Sequence, residues 1–91
     1  MPPPYKFGPP APGFFDKQRD ASISLQLKLG SVLDKLAVDP VPDTPELRAR
    51  PLIDPRVPGG YTVTFDDGDA MLTYQVREDL GAIRLIDLIW V

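Results

Sequence analysis

Apolar residues recur along this chain with two different periods, and each period predicts a different element. Leu25, Leu29, Val32, Leu33 and Leu36 fall at i, i+4, i+7, i+8 and i+11, the spacing of one helix face. Ile23, Leu25, Leu27 and Leu29 also alternate strictly, as a half-buried strand would, and Gly30 costs a helix about 1 kcal/mol relative to Ala. One amphipathic helix nevertheless accounts for every apolar position from Leu25 onward and ends at Leu36-Ala37, ahead of Pro40. A helix is therefore predicted within residues 14–38. Asp16 or Asp20 is expected near its start, where a carboxylate accepts bonds from free N–H groups and meets the positive end of the dipole.

The second period is two. Tyr61 to Phe65 and Ala70 to Val76 alternate on either side of Asp66-Asp67-Gly68-Asp69, and Asp-Gly is a strong signal for a two-residue hairpin turn. Such a turn fixes the register: Tyr61 faces Tyr74, Val63 faces Leu72 and Phe65 faces Ala70 on one side of the sheet, with Thr62 opposite Thr73 on the other. A further turn at Glu78-Asp79-Leu80-Gly81 leads into Ile83 to Val91. That run is apolar on both faces apart from Arg84 and Asp87, as an interior strand would be.

Prolines account for the remaining segments. Residues 1–13 form a proline-rich start in which Tyr5-Lys6-Phe7 can be only a short edge strand. Residues 39–60 form a connector whose Pro40, Pro42, Pro45, Pro51, Pro55 and Pro58 forbid a regular helix or a central strand through most of it. Leu47, Leu52, Ile53 and Val57 are expected to pin the connector to the domain. With 61–91 as antiparallel strands, the expectation is one α+β domain: a long helix, preceded at most by a short one, packed on a twisted sheet of three to four strands.

Composition then removes whole classes of chemistry. The 91 residues include no His and no Cys, which excludes zinc fingers, disulfide frameworks, Cys nucleophiles and His acid/base catalysis. Ten Lys and Arg against 13 Asp and Glu give a net charge of -3, the wrong sign for a protein whose affinity rests on nucleic-acid phosphates. No apolar run approaches the roughly 20 residues that span a bilayer, and the start Met1-Pro2-Pro3-Pro4-Tyr5 has no signal-peptide pattern, so a cytoplasmic protein without a membrane partner is expected. Asp66, Asp67 and Asp69 lack the spacing of a calcium loop and read as a solvated hairpin tip. Neither a metal site nor a cofactor is expected.

The order of short strand, helix, proline-bearing connector and antiparallel sheet, with the words Leu36-Ala37-Val38-Asp39-Pro40, Leu47-Arg48 and Tyr74-Gln75-Val76, resembles the RelE/ParE toxin superfamily. That resemblance implies a helical hairpin on a twisted antiparallel sheet, and a toxin held inactive by a cognate antitoxin. It also implies basic side chains where this chain has Thr62 and Thr64, an Arg near the position of Met71, and a tail carrying Arg, His or Tyr about where this sequence reaches Trp90-Val91. Departure from the pattern at these positions leaves the fold implied and the ribonuclease chemistry unsupported, because cleavage needs a base for the 2′-OH and cations for the developing charge. Pro9, Pro10, Pro12 and Gly13 stand where the family has its first helix, so that helix is expected to shrink to about a turn near Phe14 to Arg19.

Candidate partner- or RNA-binding residues follow from this frame. Arg48, Arg50 and Arg56 lie among Asp43, Glu46 and Asp54, which can simply pair with them. Arg77 and Arg84, in or beside the last strands, are better placed to hold a partner's carboxylate. Tyr61 and Tyr74 read first as a cross-strand pair in the core, and Trp90 as core or interface. The leading expectation is a toxin-like protein that acts by binding protein, with a cognate antitoxin and a cellular protein target as partners; gyrase poisoning is the precedent the resemblance implies. Two alternatives stand beside it: a ribosome-dependent mRNA endoribonuclease using Arg48, Arg50, Arg56 and Arg77 in place of the missing cations, and a non-toxic interaction module.

Overall fold

The computed structural model describes residues 4–91, and Met1, Pro2 and Pro3 of the proline-rich start lie outside them. Its elements run β1 (Lys6–Phe7), α1 (Phe14–Asp20), α2 (Ile23–Val38), β2 (Ala49–Pro51), β3 (Gly60–Phe65), β4 (Ala70–Arg77) and β5 (Ala82–Trp90). The strands form one sheet in the order β1-β5-β4-β3-β2. All neighbours are antiparallel except β1 and β5, which pair in parallel. The sheet thus has five strands and is mixed, where three to four antiparallel ones were expected.

The helix reading holds, with a different start. Ser22, not Asp16 or Asp20, begins α2: its hydroxyl accepts the Leu25 N–H at 3.1 Å, and the Gln26 side-chain amide donates back to the Ala21 carbonyl at 3.0 Å. Ala21 itself is extended, which separates α2 from the seven-residue α1. The first helix is therefore shortened to about two turns, slightly more than expected. On α2, Leu25, Leu29, Val32 and Leu36 are buried while Ile23 and Leu27 are exposed, so the strand-like alternation came from two residues outside the core.

The hairpin has the predicted register throughout, Tyr61 to Tyr74, Val63 to Leu72 and Phe65 to Ala70. Left-handed backbone at Asp67 and Gly68 makes the turn, Asp66 is left-handed as well, and the Asp69 N–H donates to the Asp66 carbonyl at 3.0 Å. Gly59 and Gly60 are needed for contact. A Cβ on Gly59 would lie 2.9 Å from the Val76 carbonyl oxygen and one on Gly60 2.9 Å from Val57, so the connector lies close against the sheet there.

In that connector, Leu47 is buried and Leu52 and Val57 are half-buried, but Ile53 is 97% exposed and pins nothing. β2 was not expected; its three residues end on Pro51 at the sheet's outer edge, where a missing donor costs least. β5 lies inside the sheet, although β1 covers only Ala82 and Ile83 of its outer edge. Beyond them, the Gly8 and Ala11 N–H groups donate to the Ile83 and Leu85 carbonyls, and α1 packs alongside.

Both layers meet at Tyr74, in the middle of the sheet and fully buried. Its hydroxyl donates to the Pro40 carbonyl at 2.6 Å, just past the end of α2. Burial pushes the phenol well above its ordinary range, so it remains a donor throughout neutral pH. Tyr74→Phe is expected to destabilise the fold by about 1–2 kcal/mol in urea denaturation, with an unchanged m-value. A midpoint equal to that of the wild type contradicts the role given to this bond.

Candidate functional site

Alternation along β4 sorts its side chains between two faces. Ala70, Leu72, Tyr74 and Val76 join the buried residues of α1 and α2 in one core cluster, so Met71, Thr73, Gln75 and Arg77 point to the face without helices. Register carries this face across the sheet. One row runs Arg50, Thr62, Thr73, Asp87, with Gln75 beside Arg84 and Arg77 beside Ala82 and Lys6 toward one end, and Thr64, Met71 and Ile89 toward the other. A bulge between Thr73 and Tyr74 shifts the β5 register, which puts both Arg84 and Asp87 on this side.

The basic candidates divide by their partners. Arg48 pairs with Asp43 at 2.9 Å, Arg56 holds Asp54 through two bonds of 2.9 and 3.1 Å, and Arg77 holds Asp79 at 3.2 and 3.3 Å. Arg50 and Arg84 have no ion-pair partner among the described residues. β3 and β4 lie between their strands, a separation of about 14 Å at ordinary strand spacing. Lys6 and Arg84 are closer, on adjoining strands at one corner of the face.

The remaining groups on this face are chemically quiet. Asp87, its only carboxylate on a strand among the described residues, is held by Lys17 at 2.6 Å. Thr62, Thr64, Thr73 and Gln75 offer hydrogen bonds but no base at neutral pH. Tyr61 and Tyr74 stack with ring centroids 6.0 Å apart on the core side, the Tyr74 hydroxyl engaged by Pro40, so neither reaches the open face. Trp90 is half-buried against the core and, with Thr64, Met71 and Ile89, lines a hollow of about 280 Å³ at the far end.

Sequence reasoning did not single out Lys6 and Lys17. Lys17 and Asp87 are 70 residues apart, and nothing local signals their pairing. Asp66, taken as part of a solvated tip, is instead bonded to Lys28 of α2, which raises the Lys28 amine above its ordinary value.

Two helices on one side of a five-stranded mixed sheet, with the opposite side open, form a RelE-like α+β fold. The chain is similar to the isolated E. coli RelE toxin, whose crystal structure superposes with a TM-score of 0.70 over 96% of this chain and 84% of RelE, at 15% sequence identity. No protein-family model matches the sequence, and no curated protein matches it.

The clamp at Arg77 is directly testable. Side-chain bonds from the guanidinium hold the Asp79 carboxyl below its ordinary 3.8. A depressed folded-state value means that the pair's stabilising effect is present above the ordinary carboxylate range and fades as pH falls through the lowered one. In an NMR titration, Arg77→Gln is expected to return the Asp79 carboxyl toward 3.8. An unchanged value would mean that Arg77 is free to serve a ligand.

Proposed function

We propose that this chain is a toxin-like protein of a type II toxin–antitoxin pair that acts by binding protein and not by cutting mRNA. One observation carries the reading: the open sheet face presents Arg84 with Lys6 beside it and Arg50 three strands away, and its one strand carboxylate among the described residues, Asp87, is held by Lys17. RNA cleavage requires a group to take the 2′-OH proton beside donors that meet at one phosphate. Here Arg48, Arg56 and Arg77 are occupied by their own neighbours, and Arg50 and Arg84 stand strands apart.

A protein ligand fits the same face better. Arg84 can grip a carboxylate with two parallel bonds, Lys6 adds charge beside it, and Met71 and Ile89 offer apolar contact at the other end, beside the hollow that Trp90 also lines. An acidic segment with an apolar anchor, as in a cognate antitoxin or a cellular protein target, matches both ends. The likeness to RelE supports the toxin-like reading through the fold, and a cytoplasmic setting is the one in which such a pair would work. No helix among the described residues is long and apolar enough to cross a membrane.

Induced expression of the wild-type chain is expected to arrest growth. Arg84→Glu, an exposed substitution that leaves the core untouched, is expected to weaken the arrest at least tenfold, as reversing a charge that grips a partner costs more than about 1.4 kcal/mol. Normal growth with the folded wild-type chain present would leave the non-toxic interaction module as the better account.

A further inference from the structure

One ion pair on the open face is not the one its strand alone would make. Arg84 and Asp87 are the only two charged residues of β5, and their odd spacing would put them on opposite faces of a regular strand. The bulge brings both to the open face, Arg84 opposite Gln75 and Asp87 opposite Thr73. Those two partners are alternate residues of β4, about 7 Å apart along the strand. At that spacing an arginine side chain reaches the aspartate carboxylate. Yet Arg84 has no ion-pair partner among the described residues, and Asp87 is bonded instead to Lys17 at 2.6 Å.

Lys17 comes from the other side of the sheet. Its helix, α1, is anchored there by Phe14, which is buried in the core cluster. To meet Asp87, the Lys17 side chain has to pass the outer edge of β5. That edge is free of a neighbouring strand at this point, because β1 pairs only with Ala82 and Ile83, and the Gly8 and Ala11 N–H groups reach only the Ile83 and Leu85 carbonyls. Pro9, Pro10 and Pro12 have no N–H with which to extend the ladder. Further along, Lys17 borders a hollow of about 220 Å³ together with Leu88, Ile89 and Trp90. A lysine suits the crossing, since its flexible apolar stem lies along the edge while its ammonium reaches the carboxylate.

We infer that Lys17 is a positioning residue for Arg84: by holding Asp87, it keeps that carboxylate off the neighbouring guanidinium and leaves Arg84 open to a ligand's carboxylate. The benefit to a ligand rests on the function proposed above, whereas the effect on Arg84 does not. Without Lys17, Asp87 and a ligand compete for the same donors of one guanidinium. Asp79, in the neighbouring turn, does not enter the competition because Arg77 holds it. An exposed pair such as Asp87 with Arg84 shifts an equilibrium by about two- to fivefold, which sets the size of the effect.

Two variants that break the same ion pair are expected to have opposite consequences. In the free chain, Lys17→Ala is expected to move the Arg84 Nε–H resonance as Asp87 takes up the guanidinium. Asp87→Asn, Lys17→Arg and the double variant Lys17→Ala with Asp87→Asn are expected to leave it near its wild-type position. With a hexaglutamate peptide as the probe, Lys17→Ala is expected to weaken binding about threefold and the double variant to restore it. Lys35→Ala, an equal loss of charge on α2, is expected to leave binding unchanged. If Lys17→Ala and Asp87→Asn move the Arg84 resonance alike, or neither moves it, Lys17 only anchors α1 and the inference fails. It fails as well if the double variant stays as weak as Lys17→Ala, or if Lys35→Ala weakens binding equally, which assigns the effect to net charge. A wild-type chain whose Arg84 resonance ignores the peptide removes the function proposed above, and the comparison of the free chains then decides the role of Lys17 by itself.

Discussion

Tyr74 sits where every layer of the molecule meets, wholly enclosed, with its hydroxyl bonded to the Pro40 carbonyl. A buried hydroxyl without a partner is costly, so the chain leaving α2 has to pass over the middle of the sheet. The Tyr5 N–H donates to the Ala37 carbonyl from the other side, bringing the N-terminal segment to the same helix end at 2.7 Å. Together these two bonds place α2, the start of the connector and the lead into β1 over β4 and β5. Leu25, Leu29, Val32 and Leu36 then have to face the sheet, and Ile23, Leu27 and Val38 have to face away from it.

The same constraint defines the open face of the sheet. Once Leu72, Tyr74 and Val76 are committed to the core, alternation delivers Thr73, Gln75 and Arg77 to the opposite side, and the ladder adds Thr62, Arg50 and Arg84. What distinguishes this face is how its charges are engaged. Acids two residues away satisfy Arg56 and Arg77, while Arg50 and Arg84, with threonine and glutamine across the ladder, have no ion-pair partner among the described residues. Under the function proposed above, Arg84 with Lys6 beside it, among neutral hydroxyls, is the part of this face that holds an acidic chain.

How much of this was legible in the sequence depended on the range of the interaction. The hairpin could be read to the residue, because Asp67-Gly68 sets the register locally and the apolar faces agree on both strands. The buried face of α2 was equally plain. Its start was misplaced because any of several polar residues could cap a helix, and only the structure shows that Ser22 does. β2 was illegible because three residues ending in proline carry no period, and Ile53 misled because an apolar residue in a connector says nothing about what it meets. Least legible was the charge pattern of the open face. Whether Asp87 is a free base or a bound partner depends on Lys17, and only the approach of α1 to β5 brings the two together.

The claim that this face holds a protein and does not cut RNA is tested most directly by mapping the 5′ ends of cellular mRNA after induction of the chain. The expected result is growth arrest with an unchanged pattern of 5′ ends. New ends phased with codons, appearing with the wild type and lost in Arg50→Ala or Arg77→Ala, would contradict it and restore a ribosome-dependent nuclease built from relocated arginines.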